Sequence, residues 1–260
     1  MSTKQPLVRR LVVLGLAGSL LLGAPTAALA QSTDAADRVA KVTDRPTDQP
    51  PVVDLEAARR RLLAAIDRRL ETLERLTNVV TGHPHVTDRH EAKLLADYAR
   101  AAQGLRELRT RAEAATTREE LKEIAESMVV DYRIYLVVVP KTYGVLFSDT
   151  VVAAADRMDE FADRLAEAIE RAAEAGYDVS EARRWLVVAR DEIDEGRRAG
   201  GPVADMVIDL EASDYPEPAT STFADAKRRL ENARLDLREA RKALTKSLTA
   251  LREAIGGNGG

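Results

Sequence analysis

Residues 151–172 read VVAAADRMDEFADRLAEAIERA. Val151, Ala155, Met158, Ala162, Leu165, Ile169 and Ala172 recur in steps of four and three, which puts all seven on one stripe of an α-helix. Most intervening positions are charged, and Glu160–Arg164 and Glu167–Arg171 have the acid four residues before the base, the favourable order on a solvated face. A half-buried strand would alternate in twos, and this stretch does not. Gly176 then supplies a C-terminal stop.

The same spacing recurs in both directions. Upstream, Asp54 is an N-cap for a helix whose seam is Leu55, Arg59, Leu62, Ile66, Arg69, Leu73, Leu76 and Val80, ending before Gly82 and Pro84. A second helix starts at Thr87 or Asp88 and carries Leu94, Tyr98, Ala101, Leu105, Leu108, Ala112 and Ala115. Thr116 and Thr117, followed by Glu119 and Glu120, form a capping box for a third. Its rhythm continues from Leu121 through Ala125, Met128, Tyr132 and Tyr135 to Val139, where Pro140 ends or kinks it. The fourth helix is expected from about Thr142 or Asp149. Downstream, Asp178 with Glu181 opens a helix presenting Ala182, Trp185, Ala189 and Ile193, and Val203–Leu210 makes one or two turns. A long last helix repeats the spacing from Phe223 through Ala226, Leu230, Ala233, Leu237, Ala240 and Leu244 to Leu251. Ala alternates with large residues along several seams, which lets neighbouring helices approach closely. Short connectors make sequential helices antiparallel. The expected fold is all-α: an elongated up-and-down antiparallel bundle of about five to six helices with coiled-coil-like heptad packing.

Composition agrees. The 260 residues are 45% hydrophobic but only 4% aromatic, and none is cysteine. Residues 1–30 read as a cleavable secretory signal. Lys4, Arg9 and Arg10 form a basic start, Leu11 to Leu22 an apolar run, and Ala28-Leu29-Ala30 a small-x-small site with cleavage after Ala30. Residues 31–52, with Pro46, Pro50 and Pro51, read as a flexible linker, 53–255 as the bundle, and 256–260 as a disordered Gly-rich tail. Loss of the signal's three basic residues would take the net charge from −4 to −7. That balance gives little electrostatic reason to bind nucleic acid. Export would permit disulfides, but a chain without cysteine must rely on packing.

Two segments carry candidate chemistry. His83, His85 and His90 lie within eight residues, and imidazoles converging from a loop could ligate Zn²⁺ or Cu²⁺. Against this, Pro84 restricts convergence, and Gly-x-Pro before Thr-Asp is ordinary loop-and-cap chemistry. The apolar zone around Ile134, Leu136, Val138, Val139, Val145, Leu146 and Phe147 is either the most buried layer of the bundle or a hairpin that inserts into a membrane or partner. Beside it, Asp131 and Arg133 would pair across helices if the zone is core. Arg59 and Arg69, unusual on a seam, would reach the surface or a carboxylate across the bundle.

No nucleophile elbow, zinc-protease helix or phosphate-cradling glycine loop is present, and no cofactor is implied. The expectation is an exported, non-enzymatic bundle in the cell envelope or outside the cell. It would act as an interaction or scaffold module toward a protein partner, with a second copy of itself as one option. Membrane insertion through Ile134–Phe147 and metal binding through the histidines are the alternatives.

Overall fold

In the computed structural model, residues 54–256 are described; the signal, linker and tail assignments fall outside them, apart from Gly256, which closes the last helix. No strand occurs among these residues. The elements are α1 (Leu55–Thr81), α2 (Asp88–Ala114), α3 (Arg118–Val130), a π-helical turn (Ile134–Val138), α4 (Val139–Glu174), α5 (Ser180–Gly200), the short α6 (Val203–Val207), a 3₁₀ turn (Ala212–Asp214) and α7 (Ala219–Gly256).

Helix starts follow their caps. Asp54 accepts from the Glu56 N–H at 3.1 Å, and the Thr87 hydroxyl accepts from the His90 N–H at 3.3 Å. Thr117 and Glu120 form the reciprocal capping box. Glu120, taking two backbone N–H bonds from Thr116 and Thr117, has its carboxyl held below the usual range. Asp178 accepts from the Ser180 N–H at 3.0 Å and so opens α5. Gly176, at φ +87°, turns the chain out of α4 in a conformation that L side chains rarely adopt.

The seams mark what is buried. Leu62, Ile66, Leu73, Leu76 and Val80 of α1 meet Leu94, Tyr98, Leu105, Leu108 and Ala112 of α2, with Leu121, Ile124 and Met128 of α3. Val145 and Leu146 of α4 and Val203 and Val207 of α6 close this core. The rest of α4 packs with α5 and α7, and the α5–α7 pairing is the most extensive of all. Small residues set its closeness. A Cβ at Gly200 would fall 2.7 Å from Val151 Cγ1 and 2.9 Å from the Ala233 Cβ, and one at Gly196 2.9 Å from Leu237. Ser247 donates to the Ala182 carbonyl at 2.7 Å across the same interface. Buried Ser148 of α4 donates toward the Gly200 and Gly201 carbonyls and accepts from the Ala204 N–H, joining the end of α5 to the start of α6.

Four expectations need correction. The third helix does not run to Val139: it ends at Val130, and Arg133 takes a left-handed conformation (φ 38°, ψ 44°) before the π turn. Beyond that break the buried positions become Ile134 and Val137, so Tyr135 is exposed and Val139 half-buried. Pro140 ends nothing; it lies in the first turn of α4, where a missing N–H costs no helical bond. Among the described residues Arg133 meets no carboxylate; its guanidinium lies 4.7 Å from the centre of the Tyr215 ring. Among the described residues the two seam arginines also have no carboxylate partner across the bundle. Arg59 pairs with Glu56 on its own helix and donates to the Ala115 carbonyl, and Arg69 donates to Ala65 and lies over the Tyr135 ring.

Candidate functional site

The π turn is where local geometry departs most from a regular bundle. Tyr132 sits against α2 where only a glycine leaves room: a Cβ at Gly104 would lie 2.0 Å from the Tyr132 hydroxyl. Arg133 takes the left-handed conformation and stacks on Tyr215. Its Nε is buried without a hydrogen-bond partner among the described residues. The chain restarts with Val137 N–H bonded to the Arg133 carbonyl at 2.8 Å. Single π turns inside helices, and non-glycine residues at positive φ, concentrate at functional positions because the surrounding fold must hold them there.

The segment splits between core and surface. Ile134 and Val137 are 1% exposed, and Val145 and Leu146 are also buried. Val138, Val139 and Phe147 are half-buried. On the outside, Val129, Val130, Tyr135 and Leu136 are exposed, Val130 by 50% and Leu136 by 43%. Four large apolar side chains in eight residues thus face out around the break. Tyr135 is fixed against α1: Arg69 covers its ring at 5.3 Å, and its hydroxyl lies 3.5 Å from both the Thr72 hydroxyl and the Arg68 carbonyl. Composition alone makes part of Arg118–Glu174 apolar enough to cross a membrane, as soluble core helices also are.

Just inside the junction lies a polar layer that the sequence reading missed. Lys141 is 4% exposed, and its ammonium contacts Asp97 of α2 at 2.7 Å and donates to the Leu210 carbonyl at 3.0 Å. Asp97 also receives Lys93 at 3.2 Å and Arg100 at 2.8 Å. Burial raises the Asp97 pKa, but Lys141 and Lys93 outweigh it and hold the carboxyl below its usual value. One residue further along each helix, the Tyr98 and Thr142 hydroxyls are bonded, and burial pushes the Tyr98 pKa up. A charged residue inside an apolar run was the available signal for Lys141. Its partner, 44 residues away, left none.

The three histidines have different polar partners, while the His83 and His85 rings lie edge to face with centroids 6.0 Å apart. His90 is buried, with Nδ1 2.9 Å from both oxygens of Asp149, an acceptor-only group, so Nδ1 is the donor. Asp149, read from sequence as a start for α4, instead accepts the Thr87 N–H at 3.0 Å and fixes the start of α2. His85 faces the Arg157 guanidinium at 3.1 Å, and His83 lies 3.4 Å from the Thr150 hydroxyl. Burial and neighbouring His85, opposed by Asp149, lower the His83 pKa. Among the described residues, ligand atoms that converge belong to Glu192, Glu195 and Asp236 on α5 and α7, all within 4.8 Å of one another. Burial and mutual repulsion raise the Glu192 and Asp236 pKa values. Hard-cation chemistry would suit those oxygens, but crowding of like charges where two long helices meet accounts for them fully.

Comparison with protein-family models, with curated proteins and with solved structures finds no match.

Proposed function

We propose that this chain is an exported, non-enzymatic interaction module that docks its partner through the α3–α4 junction. One observation carries the reading: Val129 and Val130 at the end of α3 and Tyr135 and Leu136 in the π turn stand exposed within eight residues of chain. Contiguous exposed apolar side chains mark interaction sites in soluble folds. Core packing does not require them outside, because Ile134 and Val137 already supply the inward side of the turn. The signal-like residues 1–30 support export, and the −4 net charge disfavours a nucleic-acid partner. Insertion of Ile134–Phe147 as a hairpin is the weaker alternative, since it would have to extract Val145 and Leu146 from the core. Metal binding by His83, His85 and His90 is weaker still, because the Arg157 guanidinium, itself a cation, lies 3.1 Å and 3.3 Å from the two ring nitrogens of His85.

A photo-crosslinking residue at position 136, compared in the native cell with one at Leu235 on α7, tests the reading. Adducts formed at 136 and absent at 235 support it. Equal or absent labelling at the two positions refutes it.

A further inference from the structure

Between α1 and α2 runs a cleft of about 910 Å³ whose walls come from these two helices alone. At 3.6 residues per turn, Leu70, Glu74 and Thr77 fall on one side of buried Leu73, and Thr72, which Tyr135 touches, falls on the other. The cleft therefore lies on the flank of α1 away from the junction. Asp67 to Thr77 and Leu95 to Arg106 give each wall about three turns, or about 15 Å. The α2 wall steps through Leu95, Ala99, Ala102 and Arg106 by four, three and four, so one stripe of that helix faces in. Leu70 and Leu95 are only half-buried and Ala99 is exposed, which leaves an apolar floor open to water. Charge is divided by wall: Asp67, Glu71 and Glu74 on α1, and Arg106 on α2. Asp67 is taken by Arg109 at 3.1 Å. Among the described residues, Glu71, Glu74 and Arg106 have no ion-pair partner. Arg68 and Arg75 lie beyond Glu71, away from the cleft, and Arg75 donates to the Thr72 hydroxyl.

We infer that this cleft is a second docking site, separate from the junction, for one amphipathic helix of a partner protein. That helix lays its apolar face on Leu70, Leu95 and Ala99, with lysine or arginine along the edge beside α1 and a carboxylate on the edge beside Arg106. An apolar groove three turns long between two helices fits a helix better than a compact ligand. Ala99 and Ala102 let its backbone come close, as Gly200 and Ala233 do between α5 and α7. Elsewhere in the molecule α4, α5 and α7 pack mutually as a set of three, and a helix in the cleft completes the same arrangement on α1 and α2. The unpaired carboxylates on one wall and the unpaired guanidinium on the other fix which edge of the partner helix carries which charge. Such exposed pairs add little affinity, and their effect is on orientation and partner choice.

Titration with two synthetic helical peptides of about five turns tests this. The first has a leucine and alanine face with lysine along one edge and glutamate along the other; the second has glutamate in place of every lysine. The wild-type protein is expected to bind the first saturably and the second not at all. Glu71→Gln/Glu74→Gln should weaken binding of the first about fivefold, the size expected of two exposed ion pairs. Glu119→Gln/Glu123→Gln, which removes the same charge from α3, should leave it unchanged. Ala99→Gln fills the cleft without altering charge and should weaken binding about tenfold. All three changes are at exposed positions and should keep wild-type circular dichroism. Leu136→Asp should bind the first peptide as the wild type does, so failure of the junction reading leaves this result untouched. The inference is overturned if the first peptide fails to bind, if both peptides bind equally, or if neither cleft change matters. An equal loss on changing Glu119 and Glu123 also overturns it. So does dimerisation of the protein that the first peptide competes away, which would assign the cleft to a second copy.

Discussion

Replacing Lys141 with methionine removes the ammonium that joins Asp97 of α2 to the Leu210 carbonyl while keeping similar side-chain length. Breaking a buried ion pair by deleting one partner costs about 3–5 kcal/mol when the other charge is left alone. Asp97 is not left alone, because Lys93 and Arg100 still reach it from the more exposed side. That lowers the ionic part to about 1–2 kcal/mol, and the Leu210 carbonyl, deprived of its donor, adds about 1 kcal/mol. A loss of about 2–3 kcal/mol is therefore expected, read from urea unfolding followed by circular dichroism. Adding Asp97→Leu removes the carboxylate as well, so the double variant should be more stable than Lys141→Met alone. The same pair sets an acid limb. The carboxyl of Asp97 lies below its unfolded value, so its contribution is complete above that value and is lost as pH falls through the folded one. The wild type should lose stability more steeply on acidification than the double variant. A cost below about 0.5 kcal/mol for Lys141→Met, or single-variant costs that simply add, would show that this layer does not work as a coupled unit.

Other outcomes follow from named contacts. Gly176→Ala meets open space but forces a side chain into φ +87°, so it should cost about 1–2 kcal/mol in thermal or urea unfolding; a neutral result would mean the α4 stop is conformationally loose. Gly200→Ala places a methyl against Val151 and Ala233, and should cost about 1–3 kcal/mol by overpacking in the same assay; a gain in stability would mean the helices there are not in close approach. Calorimetric titration with Zn²⁺ should reveal no stoichiometric site among His83, His85 and His90, since the Arg157 guanidinium faces both ring nitrogens of His85; one bound ion, lost in His85→Ala, would contradict the geometry.

Much of the fold was legible because helical seams are local. The steps from Val151 to Ala172 and from Leu62 to Val80 mark the buried side of α4 and α1, and caps at Asp54, Thr87 and Thr117 lie where short polar side chains precede apolar runs. The seam misled where it crossed the break. Leu121 to Val139 keeps its count on paper, yet the helix stops at Val130, and Tyr132 and Arg133 beyond it pack against Gly104 and Tyr215. Pro140 was ambiguous because it marks a boundary from either side, and here it opens a helix. The site was legible only in part. Leu136 belonged to a segment already singled out, but which of its neighbours would face inward depended on the π turn. The Lys141–Asp97 and His90–Asp149 pairs join residues 44 and 59 apart, and sequence spacing carries no information at that range.

The central claim is that the exposed junction is kept for a partner and contributes little to folding. Cell fractionation of Leu136→Asp beside Leu235→Asp, which alters a comparably exposed leucine on α7, tests it directly when paired with thermal unfolding. The account predicts unchanged unfolding for both variants, with Leu136→Asp alone released from the envelope fraction into the soluble one. Unfolding of Leu136→Asp, or identical distribution of the two variants, would contradict it.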